Sequence, residues 1–189
     1  GGVEKFLSYE LPSLVTKGTR IIANIAGSTI EECAELAEML KGSAVDMIEL
    51  NISCPNVKQG GAAFGTDCAI AGQVTKAVKD ASDKPLMVKL SPNVTSITDI
   101  AKSVEANGAD AVSLINTLLG MRIDIKSRRP VLKNNVGGLS GPAVFPIAVR
   151  MVWQVSYAVN IPVVGMGGIS TYEDAVEMMM AGASAIQIG

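Results

Sequence analysis

The densest chemistry in the chain lies between Glu49 and Asn56, where an apolar run from Val45 to Leu50 gives way to Asn51, Ser53, Cys54 and Asn56. The sequence contains no histidine, so the side chain that ordinarily carries protons near neutral pH is missing. Proton transfer would fall to a thiol, an amine, a carboxylate or water. Cys54 is the candidate. Pro55 restrains the backbone after it, and three hydrogen-bonding neighbours surround it, which an inert packing thiol does not require. Cys33 and Cys68 sit among alanines on helical segments and read as small hydrophobes.

Lys89 closes the apolar run Leu86-Met87-Val88. An ammonium there can stabilise an anion such as an enolate or a reduced flavin; the bland alternative is a lysine snorkelling to the surface. The stretch Gly165-Met166-Gly167-Gly168-Ile169-Ser170 leads from a strand into a helix. Backbone N–H groups at such a turn can cradle a phosphate, with Gly189 supplying the other half. Ser170 stands where a dinucleotide fingerprint needs its third glycine. Asn24, Asn51, Asn56 and Asn116 both donate and accept hydrogen bonds, which suits the edge of a flavin or pyrimidine ring.

These residues need a scaffold, and the pattern around them supplies one. Apolar strands at Arg20–Ala26, Asp46–Ile52, Leu86–Leu90, Ala111–Asn116, Pro162–Met166 and Ala185–Ile188 alternate with amphipathic helices. Near-continuous apolar strands fit a parallel sheet covered on both faces. Ser28 with Glu31, Ser96, Gly141-Pro142, and Ser170 with Glu173 mark helix starts; Gly42 and Asn107-Gly108 mark stops. Asn24, Asn51, Lys89, Asn116 and Gly167 each fall at or just past the C-terminal end of a different strand. A (β/α)8 barrel gathers those ends at one mouth, whereas an open sheet concentrates function at a single switch point. The expectation is an α/β fold, a TIM (β/α)8 barrel present in part, with residues 1–189 carrying about strands 3–8 and lacking the N-terminal strands and the closing helix. The basic stretch Thr117–Gly138 breaks the alternation and reads as a hairpin excursion over the mouth.

Composition narrows the function. The 189 residues are 48% hydrophobic and 18% charged with net charge −2, which argues against disorder and against an extended nucleic-acid footprint. Three scattered cysteines form no zinc-type spacing and suit a reducing compartment. No apolar run reaches the ~20 residues of a membrane span. A cytoplasmic protein without membrane or nucleic-acid partners is expected.

Five motifs in order then resemble one family: Asn51-Ile52-Ser53-Cys54-Pro55-Asn56-Val57, Met87-Val88-Lys89-Leu90-Ser91-Pro92-Asn93-Val94, Leu114-Ile115-Asn116-Thr117, Gly137-Gly138-Leu139-Ser140-Gly141-Pro142 and Gly165-Met166-Gly167-Gly168. They look like class 1 dihydroorotate dehydrogenases. Gly60-Gly61 through Phe64-Gly65, and Gly120 to Asp124, look most like the NAD-linked (1B) subtype and its catalytic FMN-binding subunit. The resemblance implies FMN-dependent oxidation of dihydroorotate to orotate in pyrimidine synthesis. Cys54 would be the base, and Asn51, Asn56, Asn116 and Thr117 would hold the substrate. Asn24, Asn51, Lys89, Ile115, Gly141, Gly167, Gly168 and Gly189 match FMN-binding positions. It further implies a homodimer of barrels and an electron-transfer partner subunit carrying FAD and a 2Fe-2S cluster, with no metal on this chain. The alternatives are a fumarate-linked enzyme, a domain like that of dihydropyrimidine dehydrogenase, or an inactive flavin-binding fragment.

Overall fold

The structure, a computed structural model, describes residues 2–53 and 64–189. Helices α1 (Gly2–Lys5) and α2 (Leu11–Val15) flank a π turn (Phe6–Glu10) and lead to strand β1 (Ile22–Ile25). Then come α3 (Ile30–Met39), β2 (Met47–Asn51), a 3₁₀ turn (Phe64–Thr66), α4 (Cys68–Ala81), β3 (Leu86–Lys89), α5 (Ile97–Ala106) and β4 (Ala111–Leu114). Four short strands follow, β5 (Leu118–Gly120), β6 (Ile123–Asp124), β7 (Arg129–Pro130) and β8 (Gly137–Leu139). A 3₁₀ turn (Pro142–Val144), α6 (Phe145–Ser156), β9 (Val163–Met166), α7 (Tyr172–Met180) and β10 (Ala185–Gln187) complete the order.

Among the described residues six strands form one parallel sheet in the order β1-β2-β3-β4-β9-β10. In a flat sheet β10 would lie four spacings of ~4.8 Å from β2, or about 19 Å, beyond the reach of facing side chains. Yet Gln187 on β10 donates to Glu49 on β2 at 3.1 Å. The sheet is therefore curled, and the architecture is an incomplete (β/α)8 barrel. Glu49, Ser113 and Gln187 come from the second, fourth and sixth strands in sheet order, the alternate-strand layering of barrel interiors.

The outer core lies between sheet and helices. Ile48, Leu50, Leu86, Val88, Val112 and Leu114 are fully buried against apolar faces that include Ala71, Val74, Val104 and Val152. Cys33 is buried there, and desolvation raises its thiol pKa; Cys68, expected among the packing residues, is exposed at the first position of α4.

Helix starts are capped as their sequences dictate, with two shifts from the expected positions. Ser96 and Asp67 accept from the N–H groups three residues on. The cap of α3 is Thr29 rather than Ser28: the Thr29 hydroxyl accepts from the Glu32 N–H at 3.1 Å, and the Glu32 carboxylate in turn accepts from the Ser28 N–H at 2.6 Å. The cap of α7 is likewise Thr171, in a reciprocal capping box with Asp174 instead of Ser170 with Glu173. Gly141-Pro142 opens the 3₁₀ turn, and α6 begins at Phe145.

The stretch after β4 does form paired strands: β5 pairs antiparallel with β8, and β6 with β7. Asn93 anchors its base, donating to the Thr117 carbonyl and accepting from the Leu119 N–H, both at 2.9 Å. Among the described residues no helix is long and apolar enough to cross a membrane, and no cluster of His, Cys, Asp and Glu could hold a metal ion.

Asp174 accepts from the Ser170 and Thr171 N–H groups, and these bonds hold its carboxyl pKa below the ordinary range. A depressed pKa in the folded state contributes stability that is present above the ordinary aspartate value and lost as pH falls through the folded value. NMR titration should place the Asp174 midpoint below that of an unstructured aspartate. Asp174→Asn should flatten acid-side stability over the same interval, read by thermal melts from pH 5 downward.

Candidate active site at the strand ends

A cavity of about 780 Å³ opens at the C-terminal ends of β3, β4, β9 and β10. Its size is in the range of small-molecule and cofactor sites. Lys89, Ile115, Asn116, Thr117, Gly141, Gly167, Gly168 and Gly189 all line it. The arrangement follows from strand geometry: each strand ends, and the next one or two residues turn their side chains or N–H groups to the same mouth. Asn116 is held in place by its N–H to the Leu90 carbonyl (3.1 Å), and Ile115 by its N–H to that of Met166 (3.0 Å).

The glycines form a wall that side chains would fill. Gly168 adopts φ +77°, and a Cβ there would lie 2.6 Å from the Gly141 carbonyl and 2.9 Å from the Phe145 N. The two glycine turns therefore touch, and only a residue without a side chain fits between them. Part of the expected phosphate cradle is already in use, since Ser170 and Thr171 N–H groups serve Asp174. The N–H groups of Gly168 and Ile169 donate to no described residue, and both residues line the cavity.

Lys89 sits beside Asn51 in register and has no ion-pair partner among the described residues. Its charge is free for a ligand anion. The Asn51 Oδ1 accepts from the Ser53 N–H at 3.1 Å and from the Ser53 hydroxyl, and its NH2 donates to no side chain among the described residues. Asn24 fronts a neighbouring groove bounded by Val3, Phe6 and Leu36, and reaches the main cavity through Glu49. Cys54 and Asn56 lie outside the described residues.

Sequence reasoning missed Glu49 and Gln187. Both line the cavity. Glu49 is only 5% exposed. Its Oε2 accepts from Asn24 Nδ2 (2.6 Å), and its Oε1 accepts from the Ser113 hydroxyl (2.7 Å) and Gln187 Nε2 (3.1 Å). A signal for Glu49 is present in the sequence: a charged residue inside an apolar parallel strand must be satisfied by partners, the same reasoning that singles out Lys89.

The donor set suits a flat cofactor with a phosphate tail. A cation, the amides of Asn116 and Gln187, and the N–H groups of Gly168 and Ile169, which donate to no described residue, border one cavity, and the Gly141–Gly168 wall admits no side chain. Lys89 could hold the ring of such a cofactor, and Gly141, Gly167, Gly168 and Gly189 its tail.

A dihydroorotate dehydrogenase family model matches residues 1–189. The chain is 56% identical over 188 residues to the dihydroorotate dehydrogenase B (NAD(+)) catalytic subunit of Alkaliphilus metalliredigens (strain QYMF), covering 100% of this chain and 62% of that protein. It is 57% identical over 189 residues to the protein of the same name from Geobacillus sp. (strain WCH70), covering 100% of this chain and 60% of the relative. The chain thus spans about three fifths of the length of these relatives. Among solved structures, FabK from Thermotoga maritima superposes with TM-score 0.58 at 18% identity, over 95% of this chain and 45% of that one, a likeness of fold alone.

Gly168→Ala should abolish flavin retention, because the added Cβ displaces the Gly141 turn and the φ is unfavourable to alanine. The check is the flavin-to-protein absorbance ratio of the purified full-length variant, with circular dichroism reporting the fold.

Proposed function

Because the chain belongs to the dihydroorotate dehydrogenase family, we propose that the full-length protein oxidises dihydroorotate to orotate, with FMN bound at the strand-end cavity. The observation that carries this reading is the convergence of Lys89, Asn116, Thr117 and the touching glycine turns on one cavity. Bound FMN would supply a two-electron acceptor for the hydride leaving C6 of the substrate. Lys89 would offset negative charge on the cofactor, a fixed cation being most effective where water is excluded. Asn116 and Thr117, tied to β3 and to Asn93, would hold the pyrimidine ring against it. Asn56 is assigned to the substrate on the resemblance of its motif.

Cys54 would take the proton from C5. A free thiol titrates near ~8.5 and is mostly protonated at neutral pH, so the reactive form is the thiolate. Ser53 and Asn51 precede it and are joined by hydrogen bonds at the exit of β2, which fixes the backbone leading to it. Loss of the C5 proton and the C6 hydride would leave the double bond of orotate.

The relatives' names as catalytic subunits of an NAD(+)-linked enzyme support an electron-transfer partner. We assign that partner the FAD and the 2Fe-2S cluster. A homodimer of barrels, a place in pyrimidine synthesis and a cytoplasmic location complete the proposal.

Full-length protein mixed anaerobically with dihydroorotate should lose its visible flavin absorbance; a flavin that stays oxidised at saturating substrate would defeat the proposal. Cys54→Ala should keep the yellow cofactor while its flavin reduction slows by roughly 10²–10⁴-fold, the usual worth of a general base. In the parent protein the reduction rate should climb between pH 6 and 9 as the thiol ionises. A level profile with chemistry limiting would remove Cys54 from the mechanism.

A further inference from the structure

Glu49 is a buried carboxylate that the chemistry above does not use. It lies at the cavity floor, with no ion-pair partner within 4 Å among the described residues, and is bonded by three neutral donors from three different strands. All three bonds point toward the carboxylate. An ionised carboxylate accepts and never donates, so each amide that meets it must present its NH2. The carbonyl oxygens of Asn24 and Gln187 are thereby turned to other partners. An asparagine alone could turn either end of its amide to a ligand; one that faces Glu49 has its orientation fixed, with one N–H spent on the carboxylate and the carbonyl oxygen turned away from it.

We infer that Glu49 is a positioning residue for the cofactor: it fixes the Gln187 amide at the cavity and the Asn24 amide at the adjoining groove so that each keeps its carbonyl oxygen for the ligand. The inference rests on the FMN reading of the cavity and deepens it. The geometry makes a specific claim about atoms. Oε2 serves Asn24 alone, whereas Oε1 serves Ser113 and Gln187 together. Glu49→Gln can keep its oxygen on the Ser113 and Gln187 side, but its new NH2 then meets the Asn24 NH2. Two donors cannot bond, so the Asn24 amide turns over and shows the ligand a donor. Adding Asn24→Asp removes the conflict. The introduced amide then donates to the introduced carboxylate, the net charge of the pair is unchanged, and position 24 again presents oxygen to the ligand.

The test measures FMN dissociation constants on full-length apoprotein by quenching of flavin fluorescence, with circular dichroism melts beside them. Wild type should bind FMN, and Glu49→Gln should bind at least tenfold more weakly. Asn24→Asp alone, which sets two carboxylates against each other, should also bind at least tenfold more weakly. The double variant should recover to within about threefold of wild type. A side chain with only a packing role would give no such recovery, because the second substitution would add to the first. Equal affinity for Glu49→Gln and wild type overturns the inference, as does a double variant that fails to fold or binds no better than the weaker single variant. Wild-type apoprotein that does not take up FMN at all would instead defeat the cofactor reading itself, and so is distinguishable.

Discussion

A carboxylate inside a curled parallel sheet is stable only if donors surround it, since an uncompensated buried charge costs several kcal/mol. Glu49 meets that requirement with one group from each of β1, β4 and β10. Hydrogen bonds to a charged group contribute about 1.5–3 kcal/mol each, enough together to offset the desolvation. The consequence is geometric. Strands far apart in sheet order must stay close enough to share one side chain, so the curl and the carboxylate depend on each other. The mouth where the strand ends converge exists because that curl is held.

The two charges at the mouth are arranged differently. Glu49 is used up by neutral donors, while Lys89, on the adjacent strand, has no ion-pair partner among the described residues. Had Glu49 paired with Lys89, the ammonium's hydrogen bonds would be spent inside the protein. Satisfying the carboxylate with amides and a hydroxyl keeps the ammonium available. The glycine turns extend the same logic to the opposite wall. There Asp174 takes the N–H groups of Ser170 and Thr171, and those of Gly168 and Ile169 donate to no described residue. Anion-binding capacity is therefore concentrated at the cavity rather than spent along the start of α7.

Much of this is legible in the sequence. All six barrel strands fall within two residues of their expected bounds, because each is an apolar run bounded by polar or glycine signals. Of the strand-end residues Asn24, Asn51, Lys89, Asn116 and Gly167, the structure lines one cavity with Lys89, Asn116 and Gly167, because the period of a strand and the turn after it fix which residue faces the mouth; Asn24 lines the neighbouring groove instead. Helix caps slip by one residue at Thr29 and Thr171, where two neighbouring hydroxyl residues compete and only the side chain three positions on decides. Glu49 and Gln187 escape notice because their partners are distant in sequence: Asn24 is 25 residues from Glu49, and Gln187 is 138. Local pattern cannot reveal a bond between strands that become neighbours only when the sheet curls.

Asn93 shows how the excursion joins the same scheme. It follows β3, yet its amide bonds both the carbonyl of Thr117 and the N–H of Leu119. A loop of roughly twenty residues would ordinarily add freedom to the residues at its root. Here the root is pinned from the neighbouring strand end, and the N–H of Asn116 is pinned to Leu90. The residues between β4 and β5 are thus held by β3 on two sides before the excursion departs. Asn116 and Thr117 are thereby tied to the residues that follow β3, the strand that carries Lys89, by bonds that involve neither β6 nor β7.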